Sequence, residues 1–196
     1  MRSKRALLPA LLLALSSCST LQASNAPACD AAARTLDSPP GRAWLRNEGW
    51  RYATRAEAEA AFAALADTQS PSPWPDWYAP YEGYQTILPP GTRFQMAVGG
   101  ESSAERPGGF GTFDNIADVA NVRSGLAVKK AWKPAVTSVV TFEVTRPLPV
   151  KIGPVGPQVD GTLCRLLPGR WSQLQMLVPP AERLTYIRKI AERPIR

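Results

Sequence analysis

Hydrophobic and polar positions change rhythm as the chain proceeds. Thr54-Arg55-Ala56-Glu57 is a capping box, and the Ala-rich stretch behind it, to Asp67, is a good helix former with Phe62 and Leu65 as a modest apolar face. The spacing predicts a helix there. From Tyr84 the pattern becomes strand-like. Gly91 to Val98 alternates, with Phe94, Met96 and Val98 on one face and Arg93, Gln95 and Ala97 on the other, which predicts a half-buried strand. Val136 to Val144 is β-rich and mostly apolar, as a central strand is. Leu148–Ile152, Leu174–Val178 and Leu184–Ile190 are further strand candidates. Asp114 to Val128 holds a helix candidate, with Ile116, Val119, Ala120 and Val122 at near-helical spacing. Gly99–Gly109 and Pro154–Gly161 read as loops. No internal repeat and no sustained heptad interrupts this order.

The pattern predicts a mainly β or α+β domain from about residue 80 onward, behind a helical lead-in. Its expected organisation is a leader over residues 1–17, a tether and lead-in over 18–50, a capping helix and Pro/Trp-rich linker over 51–80, and the sheet domain over 81–196. The linker, Gln69 to Pro80, is broken by four prolines. Its Trp74, Trp77 and Tyr78 need burial or a partner, so it is either a flap lying on the domain or a ligand-stacking loop.

Composition narrows the chemistry. With 196 residues, 44% hydrophobic and 20% charged, the chain is globular and about one domain long. Its 14 glycines and 20 prolines favour loops and short strands. Histidine is absent, which excludes His-based triads and imidazole general bases. The 3 cysteines form no CxxC pair, so no metal cofactor is expected.

The N-terminus reads as an address. Arg2, Lys4 and Arg5 precede Ala6–Ser16, an apolar run shorter than the roughly 20 residues a membrane span needs. The run ends in Leu15-Ser16-Ser17-Cys18, which resembles a bacterial lipobox, so Cys18 is the expected lipidation site. Ser19 after it, by resemblance to Gram-negative lipoproteins, implies the outer membrane. Acyl chains would anchor a domain to the membrane surface. Part of the net +7 charge belongs to this leader. Cys29 and Cys164 remain, either as one disulfide or as two buried thiols.

Gln173 and Gln175 flank Leu174 and share one face of a strand, while Leu174, Met176 and Val178 take the other. An apolar face for the core and a paired amide face for a cleft suit the edge of a site. The segment Gln173-Leu-Gln-Met-Leu-Val-Pro-Pro-Ala-Glu-Arg-Leu-Thr-Tyr-Ile187 resembles the C-terminal motif of mono-ADP-ribosyltransferases, which carries Glu-x-Glu or Gln-x-Glu, apolar residues, Pro-Pro and a final strand. The resemblance implies that Gln175 stands at the catalytic Glu position and that Gln173 orients the acceptor or water. It implies Arg93 as the NAD-gripping arginine, and Thr112 in Gly109-Phe-Gly-Thr-Phe113 as the hydroxyl that shapes the nicotinamide pocket. Phe113 and Trp132 are the expected stacking partners.

Leu88-Pro-Pro-Gly-Thr92, followed by Glu143-Val-Thr-Arg-Pro-Leu-Pro-Val-Lys-Ile-Gly-Pro154, is similar to the tuberculosis-necrotizing-toxin domain, a family of secreted NAD glycohydrolases. The Asp-Arg pair of that family is replaced here by Gln95-Met96, and Leu163 follows Gly161-Thr162 where its working Gln is expected.

Together the resemblances imply an α+β fold with a split, mixed β-sheet domain of ADP-ribosyltransferase type and NAD as substrate, acting as a transferase or a glycohydrolase. A guanidinium fork suits a pyrophosphate, and the ribose develops cationic character as the nicotinamide bond breaks. A Gln supplies a dipole where a Glu supplies a charge. Asp160 and Glu182 are the alternative acids. Read singly, each residue has an ordinary account: Arg93 as a surface arginine, Thr112 as a turn residue, the Gln pair as a solvated strand face. Expected partners are the membrane, through the lipid, and a target or immunity protein. Nucleic acid is not expected, because the terminal Arg/Lys cluster lacks interleaved aromatics. The alternative function is a non-catalytic outer-membrane lipoprotein that binds a protein partner through the same fold.

Overall fold

The computed structural model describes residues 34–67 and 83–196. The leader, Cys18, Cys29 and the aromatic linker around Trp74 lie outside the described residues. Among the described residues no helix is long and apolar enough to cross a membrane.

Two helices open the fold. Helix α1 (Pro39–Glu48) starts where Ser38 accepts a hydrogen bond from the Gly41 amide at 3.0 Å and Pro39 takes the first helical position. Helix α2 (Arg55–Asp67) begins with the anticipated capping box. Glu57 accepts from the Thr54 amide at 3.1 Å while Thr54 Oγ1 accepts from the Glu57 amide at 3.2 Å. Trp44 of α1 and Ala58 and Phe62 of α2 bury themselves with Leu36 and Val159 as a small separate core. An ion pair ties this layer to the rest: Glu48, 2% exposed, receives Arg170 at 2.7 Å and Arg51 at 3.4 Å.

The strands are β1 (Tyr84–Leu88), β2 (Arg93–Val98), β3 (Phe110–Gly111), β4 (Ser138–Val144), β5 (Leu148–Pro154), β6 (Gln158–Asp160), β7 (Arg165–Leu167), β8 (Ser172–Met176) and β9 (Ile187–Pro194). One sheet has the order β1-β5-β8-β3 and a second β2-β4-β9, while β6 and β7 form a ribbon. Every pairing among them is antiparallel, which corrects the expected mixed sheet. Neighbours in the two larger sheets are all non-consecutive in the chain, yet each returning strand runs opposite to the one it pairs with.

The main core lies between the facing surfaces of the two larger sheets. Phe94 and Met96 of β2, Val140 and Phe142 of β4, and Leu174 and Met176 of β8 all meet there. The predicted alternation of β2 is thus realised, and β4 is central in its sheet as anticipated. The helix sought between Asp114 and Val128 is the shorter α3 (Val119–Ser124), capped by Asp118. The expected strand Leu184–Ile190 is corrected. Residues 183–186 form a helical turn, α4 (Arg183–Tyr186), and the strand starts at Ile187. Pro179 and Pro180 lead into a 3₁₀ turn that runs on into α4, which delays the strand.

Among the described residues one isolated backbone bridge links the two larger sheets. Gln95 and Thr112 exchange backbone hydrogen bonds at 2.8 and 2.9 Å, just past the end of β3. A Cβ on Gly111 would lie 2.6 Å from the Phe94 ring, so only glycine lets β3 come this close to β2. Phe142, fully buried in the central strand, predicts a direct test of the main core. Phe142→Ala should lower unfolding free energy by about 3–5 kcal/mol. Ile190→Ala on exposed β9 should change it by less than about 0.5 kcal/mol. Urea unfolding followed by circular dichroism measures both.

Candidate functional site

The seam sets the site. Strand β3 is two residues long; its Gly111 lies against the Phe94 ring of β2, and the Gln95–Thr112 backbone pair follows just past its end. Beyond that pair the strands part, and a cavity of about 490 Å³ opens between Met96 and Ala97 on one side and Phe110 and Gly111 on the other. Gln173 of β8 lines it, as do Val122 and Leu126 from α3 and its C-terminal end. Trp132 and Lys133 enter from the segment before β4, and the turn Gly99–Ser102 together with Arg106 completes the wall. Gly100 at φ 63° and Gly99 at φ 149° make that turn, and a Cβ on Gly99 would sit 2.6 Å from the Ala135 carbonyl.

The wall is mostly apolar with a few polar groups, the usual make-up of a small-molecule site. Gln173 is its most deeply placed amide. The residue is 4% exposed, and its Oε1 has no hydrogen-bond partner among the described residues. An unmade hydrogen bond on a buried amide carries a desolvation penalty of about 1–3 kcal/mol. The terminal torsion of Gln is roughly two-fold, so either amide atom can be presented to the cavity. Lys129 stands 4.8 Å from the centre of the Trp132 ring, over one of its faces.

The residues singled out from the sequence separate. Gln173 and Trp132 line the cavity. Gln175, on the same strand, is half-buried and pairs with Phe110 and Lys151 in the sheet; it is not among the lining residues. Thr112 sits beside the cavity wall, not in it. Its hydroxyl is fully buried, 3.2 Å from Asp114 Oδ2 and 3.0 Å from Ser172 Oγ. Asp114 also accepts from the amide and the hydroxyl of Ser172, each at 2.7 Å. Thr112 therefore fastens the seam. Phe113 is 43% exposed and outside the lining.

Arg93 points to a different surface. Its Nε donates to Glu143 at 3.0 Å, and Arg188 of β9 donates to the other carboxylate oxygen at 3.0 Å. The Arg93 side chain is 67% exposed, and neither arginine lines the cavity. Hydrogen bonds first from Arg188 and then from Arg93 hold the Glu143 carboxyl below the usual carboxylate range.

Neither alternative acid reaches the cavity lining. Asp160 is fully buried and accepts from the amides of Lys130, Thr162 and Leu163, so it shapes its own turn. Glu182 is exposed in the turn before α4. Cys164 is disulfide-bonded, with its partner outside the described residues. Lys133, Ser102 and Arg106 went unnoticed in the sequence. The signal available was the local run Lys129-Lys-Ala-Trp-Lys133, which clusters three cations about one aromatic.

No protein-family model matches the chain, and the curated proteins contain no match. Among solved structures the chain is similar to a chain of Tne2 in complex with Tni2. That match has 23% identity and a TM-score of 0.51, and covers 61% of this chain and 97% of the other. It shows a shared fold. A looser match, to a chain of Rhs1-CT in complex with its cognate immunity protein RhsI1, has 13% identity, a TM-score of 0.33, and covers 60% and 86% of the two chains. It carries no argument.

The Glu143 cluster makes a pH prediction. A carboxyl held low in the folded state stabilises the fold above the unfolded carboxylate pKa, and that contribution is lost as pH falls through the lower, folded value. Carbon-detected NMR titration should find the Glu143 midpoint below the ordinary range. Arg188→Ala should raise it more than Arg93→Ala does; the reverse order would contradict the assignment of the dominant partner.

Proposed function

We propose that the cavity binds NAD and that the protein breaks its nicotinamide–ribose bond, with Gln173 as the working amide. The observation that carries this reading is the buried Gln173 amide, with an unfilled acceptor, on the wall of an apolar cavity at the sheet seam. The shared fold with a chain of the Tne2–Tni2 structure and the family resemblances of the flanking segments support it.

The chemistry follows from the wall. A cavity of about 490 Å³ is the size of a small-molecule site. Nicotinamide is a flat ring, and Trp132 gives an aromatic surface beside it. As the bond between C1′ and the ring nitrogen breaks, the electron pair leaves with nicotinamide and positive charge develops on the ribose. Gln173 accepts a hydrogen bond from a ribose hydroxyl or from the attacking water, so its dipole favours that charge. Water adds at C1′ and releases its proton to solvent, giving nicotinamide and ADP-ribose. A nucleophilic side chain of a target protein in place of water gives ADP-ribosyl transfer. A dipole stabilises the cation less than a carboxylate does, so turnover is expected to be slow.

In the same reading the leader exports the chain, Cys18 carries the lipid, and the domain works at a membrane surface as a toxin-like effector with an immunity-protein partner. A second reading is favoured by two observations. Met96, buried in the core, stands where the necrotizing-toxin resemblance expects arginine, and Glu101 is the one carboxylate among the described lining residues. On that reading the domain binds a protein partner without catalysis.

The test is release of free nicotinamide from NAD by the purified protein, measured by chromatography. Turnover should be present in the wild type, fall about 10²–10³-fold in Gln173→Ala, and persist in Gln175→Ala. Equal melting temperatures would verify folding. No turnover and no NAD binding by the wild type would overturn the enzymatic reading.

A further inference from the structure

The Gly99–Ser102 turn, Arg106 and Lys133 form a second feature of the cavity, with its own electrostatic logic. Lys133 is half-buried on the wall. Its Nζ donates to Ser102 Oγ at 2.6 Å and to the Gly99 carbonyl at 3.2 Å. Both acceptors are neutral. Among the described residues no carboxylate comes within ion-pair distance of it, although the rest of the chain supplies Glu and Asp partners to many of its cations.

The surroundings add positive charge. Arg123, 7% exposed, donates to the carbonyls of Val128, Lys129 and Lys133, so a guanidinium stands directly behind the Lys133 backbone. Burial, and then the charge of Arg123, pushes the Lys133 ammonium below its ordinary pKa. Arg106 lines the same cavity with its side chain unpaired among the described residues. Glu101 is the opposing acid, and it is exposed. A cation taken out of water without a counter-ion is unfavourable unless an anion arrives to pair with it. The unpartnered Gln173 oxygen on the wall of this cavity is an independent sign that a ligand completes the site.

We propose that Lys133, held by Ser102, binds the pyrophosphate of the dinucleotide in this cavity, with Arg106 of the same lining as a second cation. The identity of the anion as part of a dinucleotide rests on the proposed function; the cationic subsite itself does not. Arg93, the arginine named by resemblance for this task, is engaged with Glu143 outside the lining. Lys133 and Arg106 thus supply the positive charge that the seam strand lacks at Met96. A lysine binds phosphate as a point charge and an arginine as a fork, so the two offer different and compatible contacts to phosphate oxygens.

Isothermal titration of the purified protein with ADP-ribose, inorganic pyrophosphate and inorganic phosphate tests this without any turnover. ADP-ribose has already lost nicotinamide, so its binding is independent of bond cleavage. Wild-type protein should bind ADP-ribose and pyrophosphate, more weakly as ionic strength rises. Lys133→Met should raise the Kd for ADP-ribose at least tenfold, Lys133→Arg should restore most of it, and Arg106→Gln, at an exposed position, should raise it several-fold with folding intact. Phosphate binding that equals pyrophosphate binding would assign the site to a single free phosphate and overturn the dinucleotide form of the proposal. Wild-type cleavage of NAD together with an unchanged ADP-ribose Kd in Lys133→Met and Arg106→Gln would overturn the subsite and leave the enzymatic reading standing. Lys133-dependent pyrophosphate binding by a protein that never releases nicotinamide would uphold the subsite and overturn the enzymatic reading.

Discussion

The backbone pair between Gln95 and Thr112 is the constraint on which the architecture turns. Two antiparallel sheets share one core, and this pair is where their edges touch. It is held from several directions. Gly111 removes the Cβ that would strike Phe94. Asp114 gathers the Thr112 and Ser172 hydroxyls and the Ser172 amide, which locks the end of β3 onto β8. Gln95 turns its own side chain to the Ile116 amide at 2.8 Å, which fixes the loop beyond. Because the contact is so short, the strands separate immediately after it. The cavity is a consequence of that separation, so the same local sequence that joins the sheets also opens them.

Charge is distributed in two unequal ways around this seam. Arg93 and Arg188 share Glu143 on an exposed surface, where paired charges contribute modestly and are screened by salt. Lys133 and Arg123, by contrast, are held by carbonyls and a hydroxyl next to the cavity. The first arrangement is satisfied within the fold. The second gains from an anion, and the cavity it borders also presents the Gln173 amide as a neutral hydrogen-bonding group. That division suits a ligand with phosphates at one end and a polyhydroxylated ring at the other.

Much of the scaffold was legible in the sequence because it rests on periodicity and local rules. The alternation of Arg93–Val98, the apolar run ending at Val144 and the Thr54–Glu57 capping box each carry their own signal, and each forms the expected element. The face of β8 bearing Gln173 was legible for the same reason. What periodicity could not give was depth. Gln173 and Gln175 share a face, yet one lies on the cavity wall and the other in the sheet beside Lys151, a difference set by where β3 ends. Arg93 was placed in its strand correctly, but its partner Glu143 lies fifty residues on and no local pattern reveals that pairing. Lys133 was hidden because a lysine in a loop looks solvated until its neighbours desolvate it. The short strands β3, β6 and β7 lack the length that a two-residue period needs.

The most direct test of the account is to watch the Gln173 side-chain amide by NMR while titrating the protein with a carba-analogue of NAD, whose nicotinamide-bearing ribose oxygen is replaced by carbon and which therefore stays intact. The account predicts saturable shifts of the Gln173 amide and the Trp132 indole signals, with the Gln175 amide little affected. Saturable binding that leaves Gln173 and Trp132 unmoved, or no binding at all, would contradict it.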